Sequence, residues 1–252
     1  MQRRLRLTLG HLGFSALTVS AVVLWVLLVW YPSPLADLQG VTQVLLVLAF
    51  VDICLGPLLT FIIASPGKAS RELFRDISII VLAQLGALGY GTYTTFVARP
   101  AFVVFNSNRF DVVAATELVW KEGRRLQDRR FASAPLLGPV WAHALPPDSV
   151  EERNEILFSA VEGGPDLKNL PHLFHIWPQD DASVRSRLRP MSELAGMSDL
   201  HRQEVRKLEE NLSLNADELA YVPLIGRSDI GVVVLRRSDL GIVAAIILPL
   251  HF

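Results

Sequence analysis

The stretch that decides the fold is Val41-Thr-Gln-Val-Leu-Leu-Val-Leu-Ala-Phe-Val-Asp-Ile-Cys-Leu-Gly-Pro-Leu-Leu-Thr-Phe-Ile-Ile-Ala64. As a helix its 24 residues rise about 36 Å, more than a hydrocarbon core roughly 30 Å thick, so the segment is long enough to cross a bilayer. One carboxylate, Asp52, stands near its midpoint. An ionised acid at that depth costs on the order of 3 kcal/mol on insertion scales, so Asp52 is expected to face another helix rather than lipid. It acts either as hydrogen-bonded packing glue or as an ion- or proton-handling group, and the absence of a second carboxylate in the neighbouring segments favours glue.

Gly56-Pro57 follows one turn later. Pro57 removes the amide that would bond the carbonyl of Ile53, which predicts a kink and a freed carbonyl in need of a donor. Ala49, Asp52, Gly56 and Thr60 recur at helical spacing and form one small or polar stripe on an otherwise Leu/Val/Ile/Phe helix, the expected packing face.

Outward from this helix, the apolar excess lies in the first hundred of 252 residues, 51% of which are hydrophobic and 19% charged. Residues 1–97 hold six Lys/Arg against four Asp/Glu and the remainder eighteen against twenty-one, giving +2 and -3 for the overall -1. No basic field exists for nucleic acid. The single cysteine, Cys54, excludes an intrachain disulfide and any cysteine-based zinc site.

An apolar run from about Leu12 to Tyr31 follows Arg3, Arg4 and Arg6. It is longer than a signal h-region, and Pro34-Leu35-Ala36 is a poor cleavage site, so it reads as an uncleaved first span. Trp25, Trp30 and Tyr31 suit an interface belt, and the loop from Pro32 to Gly40 carries Asp37 but no Lys or Arg. The polar turn from Ser65 to Asp76 holds Lys68, Arg71 and Arg75. This asymmetry predicts a cytoplasmic N-terminus and second loop. Ile77 to Val97 is the third span, with Ala83, Ala87 and Gly91 spaced by four and Gly86 and Gly89 beside them, a pattern that lets helix backbones approach closely. Gln84 and Tyr90, with Ser15, Thr18 and Ser20 of the first span, are the candidate partners of Asp52.

The expected division is a three-helix transmembrane domain, 1–98, followed by an extracytoplasmic α+β domain, 99–252. Ala101–Phe105 and Arg109–Val113 read as a strand pair around the turn Asn106-Ser107-Asn108. Thr116 to Leu126 carries helix formers. Asp148 and Glu151 have capping-box spacing ahead of a helix whose apolar side is Val150, Ile156, Leu157 and Val161. Another helix is expected from Ser192 to Leu212, with Leu194, Met197, Val205, Leu208 and Leu212 inward. Ile230–Leu235 and Ile242–Leu248, joined by a turn containing Gly241, read as a hairpin, and the second run, ending at Pro249, is too short to span a membrane. His172 and His175 could share a metal only with a third ligand that the neighbourhood does not supply. No nucleophile elbow, P-loop, dinucleotide fingerprint or His-Glu-x-x-His occurs, so neither catalysis nor a cofactor is expected.

Three stretches together resemble the type IV pilin accessory proteins, the TfpX/TfpZ family. They are Val51-Asp-Ile-Cys-Leu-Gly-Pro-Leu-Leu-Thr60, the basic loop before Phe74-Arg75-Asp76, and Arg99-Pro100 through Phe105-Asn-Ser-Asn-Arg-Phe-Asp-Val-Val113. Asn108 departs from the pattern, standing where the family carries an acid. The resemblance implies an inner-membrane, non-catalytic chaperone or modulator of a cognate type IV pilin, with the bilayer and the pilin as partners and no metal or nucleic acid. A membrane sensor with a ligand-binding periplasmic domain is the alternative. Asp52, Gly56, Pro57, Ala83, Ala87 and Gly91 are the candidate helix-packing residues. Arg109, Phe110 and Asp111 are either a partner surface or a structural pair bracing the first hairpin.

Overall fold

In the computed structural model the residues described are 1–65, 67–178 and 182–248, so the expectation for Pro249 lies outside them. The chain forms two compact units, one of Met1–Trp30 and Gly40–Ala98, the other of Tyr31–Gln39 and Arg99–Phe252. The first contains three helices long and apolar enough to cross a membrane, Gln2–Trp30, Val41–Ile63 and Ser70–Val97. Large apolar side chains such as Leu17, Leu28, Leu46, Phe50, Ile62 and Leu82 lie on their outer surface, the pattern of helices whose solvent is lipid. The protein is a three-span membrane protein with a following α+β domain.

The second unit is built on a mixed eight-stranded sheet in the order β4-β3-β1-β2-β6-β7-β8, with β5 added beside β6. The strands are β1 Pro100–Asn106, β2 Arg109–Ala114, β3 Val140–Ala144, β4 Phe174–Ile176, β5 Arg189–Pro190, β6 Leu219–Ile225, β7 Ile230–Arg236 and β8 Ile242–Ile246. The β1/β2 and β7/β8 pairs are antiparallel, as expected. Alternation along β1 and β6 sends Val103, Phe105, Val222 and Leu224 to one core, while Phe102 and Val104 join a second and Leu219 and Tyr221 a third. With both faces covered, these strands read as continuous apolar runs.

Three expectations need correction. Thr116–Leu126 is not a helix: only Ala115–Glu117 forms a 3-10 turn, the amide of Val119 donates to the carbonyl of Asn169, and Gly123 turns the chain at φ +75°. The helix Val150–Val161 is capped by Ser149, whose hydroxyl accepts from the Glu152 amide at 3.3 Å, and of its expected apolar side only Ile156 is buried. The Ser192–Leu212 helix is two, Met191–Met197 and Asp199–Leu212. Ser198 stands extended between them and its side chain caps the second, and Met197 is exposed while Leu194 and Val205 are buried.

The segment read as a simple loop between the first two spans is core. Leu35 and Leu38 pack in the cluster of Phe105, Phe110 and Trp177, and the Leu38 carbonyl accepts from the amides of Ser228 and Asp229. A Cβ on Gly226 would stand 2.3 Å from that oxygen, so position 226 cannot carry a side chain without moving it. Tyr31 is 3% exposed, and burial pushes its phenol up to about 12 against the opposing charges of Arg99 and Arg227.

Leu38→Ala in the full-length protein is therefore expected to cost about 2–5 kcal/mol through the cavity it leaves. Denaturant unfolding followed by tryptophan fluorescence measures this, since Trp177 lies in the same core; an unchanged midpoint would contradict the packing.

Candidate functional site

The polar centre of the first unit lies where the second span changes register. Val51–Leu55 forms a π turn, and the Gly56 amide bonds the carbonyl of Val51, five residues back. In that register the next carbonyl, that of Asp52, looks to the amide of residue 57, which is proline and has none. Gln84 supplies the donor: its Nε2 donates to the Asp52 carbonyl at 3.1 Å and to Asp52 Oδ1 at 3.2 Å. The side chain thus satisfies the carbonyl of Asp52, one residue before the Ile53 carbonyl expected from an unbroken α register.

With Nε2 so used, Gln84 Oε1 is an acceptor, and His11 Nε2 stands 2.8 Å from it. His11 Nε2 must therefore carry the proton in this arrangement. Its Nδ1 lies 2.6 Å from Thr60 Oγ1, within hydrogen-bond distance of the hydroxyl. One chain, Thr60–His11–Gln84–Asp52, thereby joins all three spans. Thr60 is 0%, Asp52 4% and His11 7% exposed. The adjacent void, lined by Ser15, Asp52 and Gln84, measures about 10 Å³, no more than one water occupies, so the cluster offers no ligand cavity.

Close approach makes this chain possible. A Cβ on Gly56 would fall 2.1 Å from Gln84 Nε2, so only glycine leaves room for the amide. Pro57 is buried beside it. A Cβ on Gly91 would meet Leu48 Cδ2 at 2.5 Å, placing the second and third spans in direct contact there. Ala83 and Ala87 do not share that contact; they are exposed, as are Gly86 and Gly89, where an added Cβ would meet nothing within 4 Å. Of the partners suggested for Asp52, Gln84 is found. His11 is not among them, although His11, Ser15 and Val19 recur every four residues and are the buried positions of the helix Gln2–Trp25.

In the second unit the hairpin residues divide. Phe110 is 0% exposed, its ring 5.0 Å from Trp177 and 5.3 Å from both Phe105 and Trp141. Asp111 is 1% exposed, held by Arg109 Nε at 3.2 Å and Lys168 Nζ at 3.3 Å. A surface contact by Phe110 or Asp111 is thus corrected to a core role, and Arg109 alone of the three remains exposed. His172 is buried against Glu152, 3.7 Å away, and burial, then the nearby Arg124, lower its pKa. His175 lies on β4 opposite His143. Among the described residues no three His, Cys, Asp or Glu side chains gather as a metal site would require.

These features define a multi-pass membrane protein whose bilayer part closes on one buried polar chain and whose second unit is a two-sided sheet. The family model for the fimbrial assembly protein FimB matches residues 1–40. The chain is 28% identical over 233 residues to the serogroup I fimbrial assembly protein of Dichelobacter nodosus, spanning 92% of this chain and 90% of that one. It is 35% identical over 108 residues to the fimbrial assembly protein of serogroups C1 and C2 of the same organism, covering 42% of this chain and 82% of the relative. The chain belongs to the fimbrial assembly protein family. No solved structure matches it.

If Asp52 and Gln84 are packing partners, Asp52→Asn should be milder than Asp52→Leu. The latter is expected to lose about 0.6 kcal/mol, the mean for polar contacts between membrane helices. Gly56→Ala should cost more, about 1–3 kcal/mol, by displacing Gln84 from the Asp52 carbonyl. Thermal unfolding in detergent ranks the three, and Asn proving as harmful as Leu would point to a titrating acid.

Proposed function

We propose that this protein is a non-catalytic accessory factor of type IV pilus assembly, of the TfpX/TfpZ kind, that holds its cognate pilin in the inner membrane before polymerisation. The observation that carries the reading is similarity to fimbrial assembly proteins along nine-tenths of the chain. A pilin is itself an apolar helix with a globular head, so a factor that holds it needs a helix-packing face in the bilayer and a polar contact outside. The third span offers the face: Ala83 and Ala87, with Gly86 and Gly89 beside them, leave its backbone bare to close approach, as small residues at membrane helix interfaces do. Arg109, half-exposed on β2, is the polar contact.

In this reading the basic N-terminus and the loop with Lys68, Arg71 and Arg75 are cytoplasmic, and the unit that follows Arg99 is periplasmic. An alkaline phosphatase fusion after Phe252 should be active and a cytoplasmic reporter silent; the reverse would remove the head contact. Ala87→Trp should lower the pilin that co-purifies with the full-length protein several-fold without lowering protein abundance. Arg109→Glu should lower it too, through loss of the head contact. Undiminished co-purification in both variants would move the pilin contact elsewhere.

A further inference from the structure

Between the start of the first span and the start of the third runs a groove of about 630 Å³, within the size range of small-ligand sites. Leu7, Leu73, Ile77 and Val81 line it, with Arg3 and Ser70 at its terminal end. The wall from Leu73 to Val81 rises about 12 Å, inside the roughly 15 Å depth of one leaflet. Arg3 Nη2 donates to Ser70 Oγ at 3.1 Å, which engages one of five guanidinium N–H groups.

The other cations near Arg3 are differently placed. Arg4 stacks over the Phe61 ring at 3.8 Å and donates to the Phe61 carbonyl, while Lys68 and Arg75 pair with Asp76. These two segments hold six cations, Arg3, Arg4, Arg6, Lys68, Arg71 and Arg75, against Glu72 and Asp76, a local excess of positive charge. A second cavity of about 300 Å³ shares Arg3, Leu7 and Leu73 and reaches Arg4, giving room beside the guanidinium for a head group.

A cationic, hydrogen-bonding end on an apolar wall one leaflet deep matches an anionic amphiphile. We propose that this groove is a binding site for an anionic phospholipid, with the phosphate on Arg3 and Ser70 and an acyl chain along Leu7, Leu73, Ile77 and Val81. An apolar partner helix would fill the wall but leave Arg3 without an anion.

Native mass spectrometry of the full-length protein in detergent, titrated with phosphatidylglycerol or phosphatidylcholine, tests this. The expected result is one saturable phosphatidylglycerol adduct formed several-fold more readily than that of phosphatidylcholine. Arg3→Gln should weaken it at least about fivefold, the effect of one interfacial cation, and more than Arg71→Gln, whose residue does not line the groove. Leu82→Trp, at a site 68% exposed, should fill the groove and abolish the adduct with unchanged thermal unfolding. Equal binding of the two lipids, or an adduct indifferent to Arg3→Gln or to Leu82→Trp, overturns the proposal. So does a photocrosslinker at Ile77 that captures a polypeptide instead of phospholipid in native membranes.

Discussion

A single missing proton organises the bilayer half of this protein. Pro57 has no amide to give, the π turn before it directs the Asp52 carbonyl toward that vacancy, and hydrocarbon offers no water to fill it. An unsatisfied backbone group in lipid costs several kcal/mol, so the donor must come from another helix. Gln84 provides it from the third span, and the rest follows in sequence. Its amide can approach only because residue 56 is glycine, and its carbonyl oxygen then needs a donor, which His11 brings from the first span. Thr60 closes the chain on the far side of the imidazole. Three helices that gain nothing from burying leucine in an already apolar solvent are thereby fixed in register by hydrogen bonds and close packing.

Much of this was legible. Asp52, Gly56, Pro57 and Thr60 stand out because polar and small residues are rare in a segment otherwise selected for lipid, and Gln84 stands out in the third span for the same reason. His11 stands just before the apolar run and near three arginines, where a polar residue is not conspicuous; its spacing with Ser15 is the available signal. In the second unit, short-range signals located the two hairpins, since turn residues and β-branched runs act locally. They failed at Thr116–Leu126, where good helix formers yield to long-range contacts: Val119 is drawn to Asn169, and the Trp120 indole donates to the Phe131 carbonyl. They failed again at Leu35–Leu38, where Leu35, Ala36 and Leu38 are buried by a sheet assembled from strands that come much later in the chain.

Arg109-Phe110-Asp111 shows how an alternating pattern misleads when both faces of a sheet are covered. On a half-solvated strand, Arg109 and Asp111 would share the wet face. Here Asp111 is buried with two cations on its two oxygens, and the intervening Phe110 enters an aromatic cluster whose edge-on contacts each add about 0.5–1.5 kcal/mol beyond burial. Removing both cations would strand the buried Asp111 charge, whereas either one alone, being partly exposed, contributes a solvent-screened interaction. The hairpin is thus braced from within, and the exposed Arg109 guanidinium is held by the same carboxylate.

The third span carries two kinds of small residue, and the difference bears on how the protein works. Gly91 is small because Leu48 occupies the space where its side chain would be; internal packing accounts for it fully. Ala83, Gly86, Ala87 and Gly89 have no such neighbour, and a helix facing only lipid gains nothing from exposing bare backbone, since leucine or isoleucine would serve the bilayer better and glycine lowers helix propensity by about 1 kcal/mol relative to alanine. The rule that explains Gly91 from within leaves these four without an internal reason. Under the pilin-holding function proposed above they acquire one, because packing at close range is the main attraction available between helices in lipid, and small residues are what let a second backbone come near.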